Sequence, residues 1–313
     1  MLALVSKLRQ RGVMGINQRN AEFMLPYNPR SLYPLVDDKL LTKRLAEKAG
    51  INVPELYGVI EIERQVRDLP SLLASHRDFV VKPSQGSGGK GIIVIGGRSK
   101  NGYRKTNGVL LGEHELQHHT SNILSGMYSL GGQPDKALIE YRVQFDPVFE
   151  AISYLGVPDV RIIVFLGVPV MAMVRLPTRA SDGKANLHQG AIGAGIDVAT
   201  GRTLSAVWYN DVIEEHPDTG NPVRDVVIPH WPRLLELASQ CYELTGLGYQ
   251  GVDFVLDRDR GPLMLELNAR PGLNIQIANH AGLYHRLRRV QQSRASLTDT
   301  RERIAFAIRH FAA

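Results

Sequence analysis

Apolar and polar positions along this chain switch between a helical and a strand period. Leu40, Leu41, Leu45 and Ala49 recur at helical spacing behind Asp37 and Asp38, and Gly50 followed by Pro54 stops the run, which predicts a helix over 35–49. Phe79-Val80-Val81-Lys82 and Gly91-Ile92-Ile93-Val94-Ile95 read as short strands joined by a glycine-rich turn. A helix is expected over 113–127 and a strand over 137–143. The most apolar stretch, Ile162 to Val174, is interrupted by Gly167 and Pro169, so it reads as two strands over 161–175, since a membrane helix needs about 20 apolar residues. An amphipathic helix over 231–245 ends at Gly246, and a hairpin follows over 251–268. At the end, Ile304, Ile308 and Phe311 share one helical face and predict a docking helix over 300–311. Residues 1–33 carry Asn17, Asn20, Pro26, Asn28 and Pro29 and read as a loop-like arm. Hairpins mixed with helices predict an α+β fold, because a doubly wound sheet alternates strand and helix strictly.

Composition narrows the class. The 313 residues are 43% hydrophobic and 22% charged, which suits a globular protein with a substantial core in one large domain or two modest ones. Cys241 is the single cysteine, so a disulfide scaffold and cysteine-based zinc or iron–sulfur sites are excluded. The start, MLALVSKLRQRG, has too short an apolar run for a secretion signal, and the cytoplasm is the expected compartment. A net charge of +6 implies an anionic ligand. No aromatic residues interleave with Arg286, Arg288 and Arg289, so that cluster reads as a solvated helix face, and neither nucleic acid nor a membrane span is expected.

Three motifs bear on chemistry. Gly86-Ser87-Gly88-Gly89-Lys90-Gly91 fits G-x-G-x-x-G, but a strand follows it where a dinucleotide fold needs a helix, and Ile92 stands where a Walker loop needs Lys followed by Ser or Thr. What remains is a flap between antiparallel strands whose N–H groups can close over phosphates, with a plain hairpin turn as the bland alternative. Lys82 ends the strand before the flap and can reach phosphates beneath it. Protein kinases order these parts differently, and no H-R-D or D-F-G motif occurs. Second, Glu266 and Asn268 face the same way in a strand, and a hairpin centred on Asp259 and Arg260 sets Asp253 opposite Glu266. Three hard oxygen donors on one face suit Mg²⁺ or Mn²⁺. Third, His114-Glu115-Leu116-Gln117-His118 matches the zinc-protease signature H-E-x-x-H, which we read as a chance match lacking a third ligand. His119 beside it is expected to be solvated, and Cys241 to be a core thiol.

In chain order, Lys39, Lys82, the glycine flap, Glu140, Asp253, Glu266 and Asn268 resemble the ATP-grasp superfamily, and more closely the RimK-type α-L-glutamate ligase-like proteins. The resemblance spans roughly 37–282, and its most specific pieces are Asp38-Lys39, Ile139-Glu140-Tyr141, Asn186-Leu187-His188 and Glu266-Leu267-Asn268. It implies the ATP-grasp fold, two α+β subdomains clasping ATP between antiparallel sheets, here with a truncated N-terminal region. The expected organisation is an arm over 1–36, a subdomain with the flap over 37–142, a subdomain with the metal site over 143–290 and a C-terminal helix over 291–313. The resemblance puts Lys39 and Lys82 on ATP phosphates, Gly86, Ser87, Gly88 and Gly89 in the closing flap, and Glu140 and Tyr141 at the adenine edge. Asp159, Lys184 and Asn186 fall at nucleotide-binding positions, and Asp253, Glu266 and Asn268 match magnesium ligands. Arg161, Arg175 and Arg270 lie where a substrate carboxylate or acyl phosphate would be held, although a surface ion pair explains each arginine alone as well. Two departures stand out: Lys184 replaces an arginine, and 37 residues precede Asp38 where RimK-type enzymes usually carry a complete domain.

The function so implied is ATP- and Mg²⁺-dependent ligation of a carboxylate to an amine through an acyl phosphate, with release of ADP. Glutamate is the suggested amino acid, and a peptide, protein or polymer the carboxylate-bearing acceptor; a homo-oligomer is left open. Two alternatives remain at this point, a small-molecule kinase of the same fold and an ATP-binding regulatory protein without turnover.

Overall fold

A computed structural model describes residues 2–86, 88–100 and 102–313. The chain forms two compact units: the larger holds the chain up to Asp37, Arg44–Asn52 and Phe145–Ala313, and the smaller holds Asp38–Lys43 and Val53–Gln144.

The smaller unit is built on six strands, β1 (Leu56–Ile60), β2 (Phe79–Pro83), β3 (Ile93–Ser99), β4 (Gly102–Lys105), β5 (Leu110–Gly112) and β6 (Ala137–Glu140). They pair antiparallel in the order β1-β6-β2-β3-β4-β5. Phe79, Val81, Ile95 and Ile139 join Leu116 and Ile123 of the Glu113–Leu124 helix in one core. That helix begins where Gly112 donates its N–H to Glu115 Oε2 at 2.7 Å, so one acid of the H-E-x-x-H pattern serves as a cap. His114 and His118 are exposed, and among the described residues no three His, Cys, Asp or Glu side chains gather as a metal site.

The larger unit carries seven strands, β7 (Asp159–Phe165), β8 (Val168–Leu176), β9 (Ile192–Ile196), β10 (Thr203–Trp208), β11 (Asp211–Ile213), β12 (Tyr249–Asp257) and β13 (Gly261–Asn268). Their order is β11-β10-β9-β8-β7-β12-β13, antiparallel throughout. Every residue of β7 and β12 is buried, as expected of near-continuous apolar runs covered on both faces. The Trp231–Thr245 helix packs on β7, β8 and β12 through Trp231, Leu234, Leu235, Ala238 and Cys241. It ends at Gly246 with φ +70°, a left-handed cap that glycine adopts without strain. Burying each of those leucines is worth about 1.5–3 kcal/mol. No helix among the described residues is long and apolar enough to cross a membrane.

Two sequence expectations change. Residues 1–33 are largely helical, with Leu2–Gln10, Ile16–Arg19 and a π turn over Asn20–Met24, and Phe23 and Met24 are buried. Packing overrides the turn-forming composition there. The Thr300–Phe311 helix exists, but it docks through Arg303, Ala307 and Phe311, while Ile308 is exposed. Arg303 belongs to that face because its guanidinium donates to Leu297 O and Glu243 and lies over the Tyr242 ring.

Candidate active site

In the smaller unit, the Asp38-Lys39 pair opens the Lys39–Lys48 helix. Asp38 Oδ1 accepts the N–H groups of Leu40 and Leu41 at 2.9 and 3.1 Å and the Ser84 hydroxyl at 2.6 Å. That cap fixes Lys39 at the helix start, where Nζ donates to Gly86 O at the foot of the flap. Glu140 ends β6 almost fully buried, with Lys82 Nζ 2.7 Å from one carboxylate oxygen and Lys43 Nζ 2.9 Å from the other. Burial alone would raise the Glu140 pKa; the Lys82 and Lys43 ammoniums outweigh it and hold the carboxyl below its ordinary value. Lys43 was absent from the sequence reading, although its place four residues after Lys39 puts both on one helix face. Tyr141 follows, its N–H donating to Glu55 O at 2.9 Å.

The flap tip has Gly88 and Gly89 at φ +63° and +75° with no atom near a built Cβ, so both are required by conformation and not by crowding. Ser87 lies outside the described residues. Gly91, at φ +76°, sits against the Tyr128 ring, and its carbonyl accepts from His119 Nε2 at 2.9 Å while His119 Nδ1 lies 3.3 Å from the Tyr128 hydroxyl. His119 is therefore a half-buried anchor and not a solvated residue. Burial, more than its neighbours, lowers its pKa.

In the larger unit, register brings four strands' charges into one row. Asp159 faces Arg175 across β7 and β8, and Asp253 of β12 faces both Arg161 of β7 and Glu266 of β13. Arg161 grips Asp253 with two hydrogen bonds, at 2.7 and 2.5 Å. Arg175 donates to both oxygens of Asp159 and, at 2.7 Å, to Asp253 Oδ2. Asp253 is almost fully buried; burial would raise its pKa, but the two guanidiniums bring it down to about 2. Asp159 is hydrogen-bonded by Arg175 and feels Arg161 only at a distance, and burial together with the Asp253 charge pushes it up to about 7.

The predicted Asp253–Glu266 pairing is present for an unpredicted reason. Pairs from Phe254–Met264 to Asp257–Gly261 centre the turn on Asp259, and a bulge leaves Leu265 without an opposite on β12, which moves Glu266 into line with Asp253. Asn268 Nδ2 lies 3.4 Å from both Asp253 Oδ2 and Glu266 Oε1, so all three candidate metal ligands converge. Turning that carboxamide over places its oxygen in the same position. Two carboxylates and one carboxamide then form a hard oxygen set of the kind Mg²⁺ takes, and Asp253 Oδ2, the atom nearest Asn268, also accepts from Arg161 and Arg175, so a cation there would share it with the two guanidiniums.

The other predicted residues lie apart from this row. Lys184 is exposed on the β8–β9 loop, and Asn186 caps the turn behind it by accepting from His188 N–H at 3.0 Å. Arg270 follows β13 half exposed, its guanidinium 5.0 Å above the Tyr33 ring and 3.5 Å from Asp37.

A lysine-flanked buried glutamate, a glycine flap and a carboxylate row on antiparallel sheets agree with what known families contain. Residues 18–292 match the family described as sugar-transfer associated ATP-grasp, and the chain belongs to that family. A probable alpha-L-glutamate ligase from Parasynechococcus marenigrum (strain WH8102) is 22% identical over 236 residues, which cover 75% of this chain and 36% of that protein. The chain thus spans about a third of the length of that curated relative. Among solved structures, D-cycloserine synthetase DcsG is 16% identical with a TM-score of 0.47, covering 87% of this chain and 74% of that one. The ATP-grasp ligase PsnB complexed with a minimal precursor is 14% identical with a TM-score of 0.45, covering 86% and 63%.

Proposed function

We propose that this protein is an ATP- and Mg²⁺-dependent ligase that joins a carboxylate to an amine and releases ADP. The observation that carries the reading is the convergence of Asp253, Glu266 and Asn268 beside Arg161 and Arg175, in a chain of the ATP-grasp family. In this reading a substrate carboxylate oxygen attacks the γ-phosphorus of ATP, the bond to the β–γ bridging oxygen breaks, and ADP leaves. The amine then attacks the acyl phosphate carbon and phosphate departs, the amine's proton passing to solvent.

The chain's own residues supply binding and charge. Lys39 and Lys82 bind phosphate oxygens, with Glu140 and Lys43 fixing the Lys82 ammonium, and Gly88 and Gly89 bring N–H groups over the phosphates. In this reading Glu140 and Tyr141 would meet the adenine edge, and Asp159, Lys184 and Asn186 would contact the nucleotide. Asp253, Glu266 and Asn268 would hold Mg²⁺, which would supply positive charge toward the transferred group. Arg161 and Arg175 orient Asp253, and Arg270 receives the substrate anion. Positioning and electrostatics suffice, and no protein nucleophile is invoked. The relative named as a probable alpha-L-glutamate ligase favours glutamate as the amino acid.

The test is product analysis with Mg-ATP, hydroxylamine and a panel of carboxylates including glutamate and glutamyl peptides, beside Glu266→Gln. Carboxylate-dependent ADP and hydroxamate, reduced at least about 100-fold in the variant because metal charge stabilisation is worth several kcal/mol, support the reading. AMP as the product overturns it, and ADP without hydroxamate favours a kinase.

A further inference from the structure

The segment before Asp38 is hydrogen-bonded at three points to β12, to the residues just after β13 and to the Ile275–Ala278 helix. Asn28 is buried, and its carboxamide donates to Tyr249 O at 2.6 Å and Ala269 O at 3.2 Å while accepting from Tyr249 N–H at 2.8 Å. Arg19, also buried, donates to Pro271 O at 2.6 Å. Gln276 exchanges two hydrogen bonds with the Met14 backbone, at 2.9 and 3.0 Å. The residues on either side of Arg270 are therefore pinned by Asn28 and Arg19, in a loop that would otherwise end a strand freely.

The same segment also reaches the Arg270 side chain. The Tyr33 ring lies under the guanidinium, and Asp37 sits at its edge. The Tyr33 hydroxyl is buried without a hydrogen-bond partner among the described residues, so the ring, and not the hydroxyl, accounts for tyrosine's usefulness there. Asp37 is 43% exposed and 3.5 Å away, a loose counter-ion that an incoming anion displaces at little cost.

We propose that residues 14–37 are a brace for Arg270, with Tyr33 and Asp37 acting as positioning residues that hold its guanidinium ready for the anionic group of the substrate. The proposal rests on the reading of Arg270 as the residue that receives that group. Tyr33 limits the guanidinium to one orientation, Asp37 stands at its edge as a counter-ion that the substrate anion replaces, and the pinned backbone fixes its origin.

Phenylglyoxal modification of the full chain, read at each arginine by peptide mass spectrometry, tests the brace without a substrate. Cation–π stacking at an exposed site corresponds to about a two- to fivefold effect, so Tyr33→Ala is expected to raise Arg270 modification by that factor. Tyr33→Phe should match wild type. Unchanged Arg270 reactivity in Tyr33→Ala, or a rise shared with buried Arg19 and Arg161, overturns the brace. In the ADP assay, Tyr33→Ala should raise KM for the carboxylate by a similar factor and leave KM for ATP unchanged; a rise in KM for ATP alone counts against it. If wild type turns over no carboxylate, the ligase reading fails while the modification pattern still decides the brace.

Discussion

Replacing Glu140 by glutamine keeps the shape of the β6 terminus and removes one charge from a place where two ammoniums depend on it. Lys43 and Lys82 are 5% and 9% exposed and lie 2.9 and 2.7 Å from the two carboxylate oxygens. Deleting one partner of a buried ion pair costs about 3–5 kcal/mol, because the remaining charge is left uncompensated. A loss of that size lowers Tm by about 5 °C or more, the more so the smaller the unit that melts as one. The Lys43→Met/Glu140→Gln double variant leaves one stranded ammonium and not two, so it should melt above Glu140→Gln. The folded-state pKa of Glu140 lies below its unfolded value, so its contribution is complete above the ordinary glutamate range and fades as pH falls through the folded value. Circular-dichroism melts at pH 7.5 and in acid should therefore show a gap between wild type and Glu140→Gln that narrows on acidification. A variant within about 1 °C of wild type at pH 7.5, against the 3–5 kcal/mol expected, would refute the reasoning, as would a gap that widens in acid.

Three further outcomes follow from the geometry. His119→Ala removes the bond to Gly91 O, worth about 1 kcal/mol, and should raise tryptic cleavage after exposed Lys90 about fivefold with the Glu113–Leu124 helix intact by circular dichroism. Asp159 has its folded pKa raised to about 7, so between the ordinary aspartate range and pH 7 the folded state holds the extra proton and wild type loses stability as pH rises; Asp159→Asn should flatten that decline in urea titrations. Burial pushes the Cys241 thiol far above its usual pKa, so a thiol reagent at pH 8 should label none of the native protein and one site per chain after unfolding.

The motifs that could be read from the sequence were those whose chemistry is local. The glycines of 86–91 announced a flap between two strands, Asp37 and Asp38 the start of a helix, and the spacing of Glu266 and Asn268 a shared strand face. The Trp231–Thr245 helix was also legible, because a full apolar stripe ended in a glycine. What escaped depended on distant partners. Asn28 reads as a turn residue, yet its role is set by Tyr249 and Ala269, more than 200 positions away. Lys43 carries no local signal, and only β6, which brings Glu140 beside it, gives it a role. Arg303 breaks an apolar periodicity because its partners, Glu243 and Tyr242, lie on another helix. The Asp253–Glu266 pairing was anticipated with the turn centre half a residue off, an error that the bulge at Leu265 cancels.

That bulge gives the β12–β13 hairpin two mechanically separate parts. Toward Asn268 the ladder is held in register with the acids; toward the tip, Arg258, Asp259 and Arg260 are exposed and count in a register of their own. Length changes at the tip can be absorbed before they reach Leu265, so the acids need not move when the outer loop is rewritten. The hairpin tip is accordingly the natural place to graft a tag or reporter loop while Asp253, Glu266 and Asn268 stay aligned.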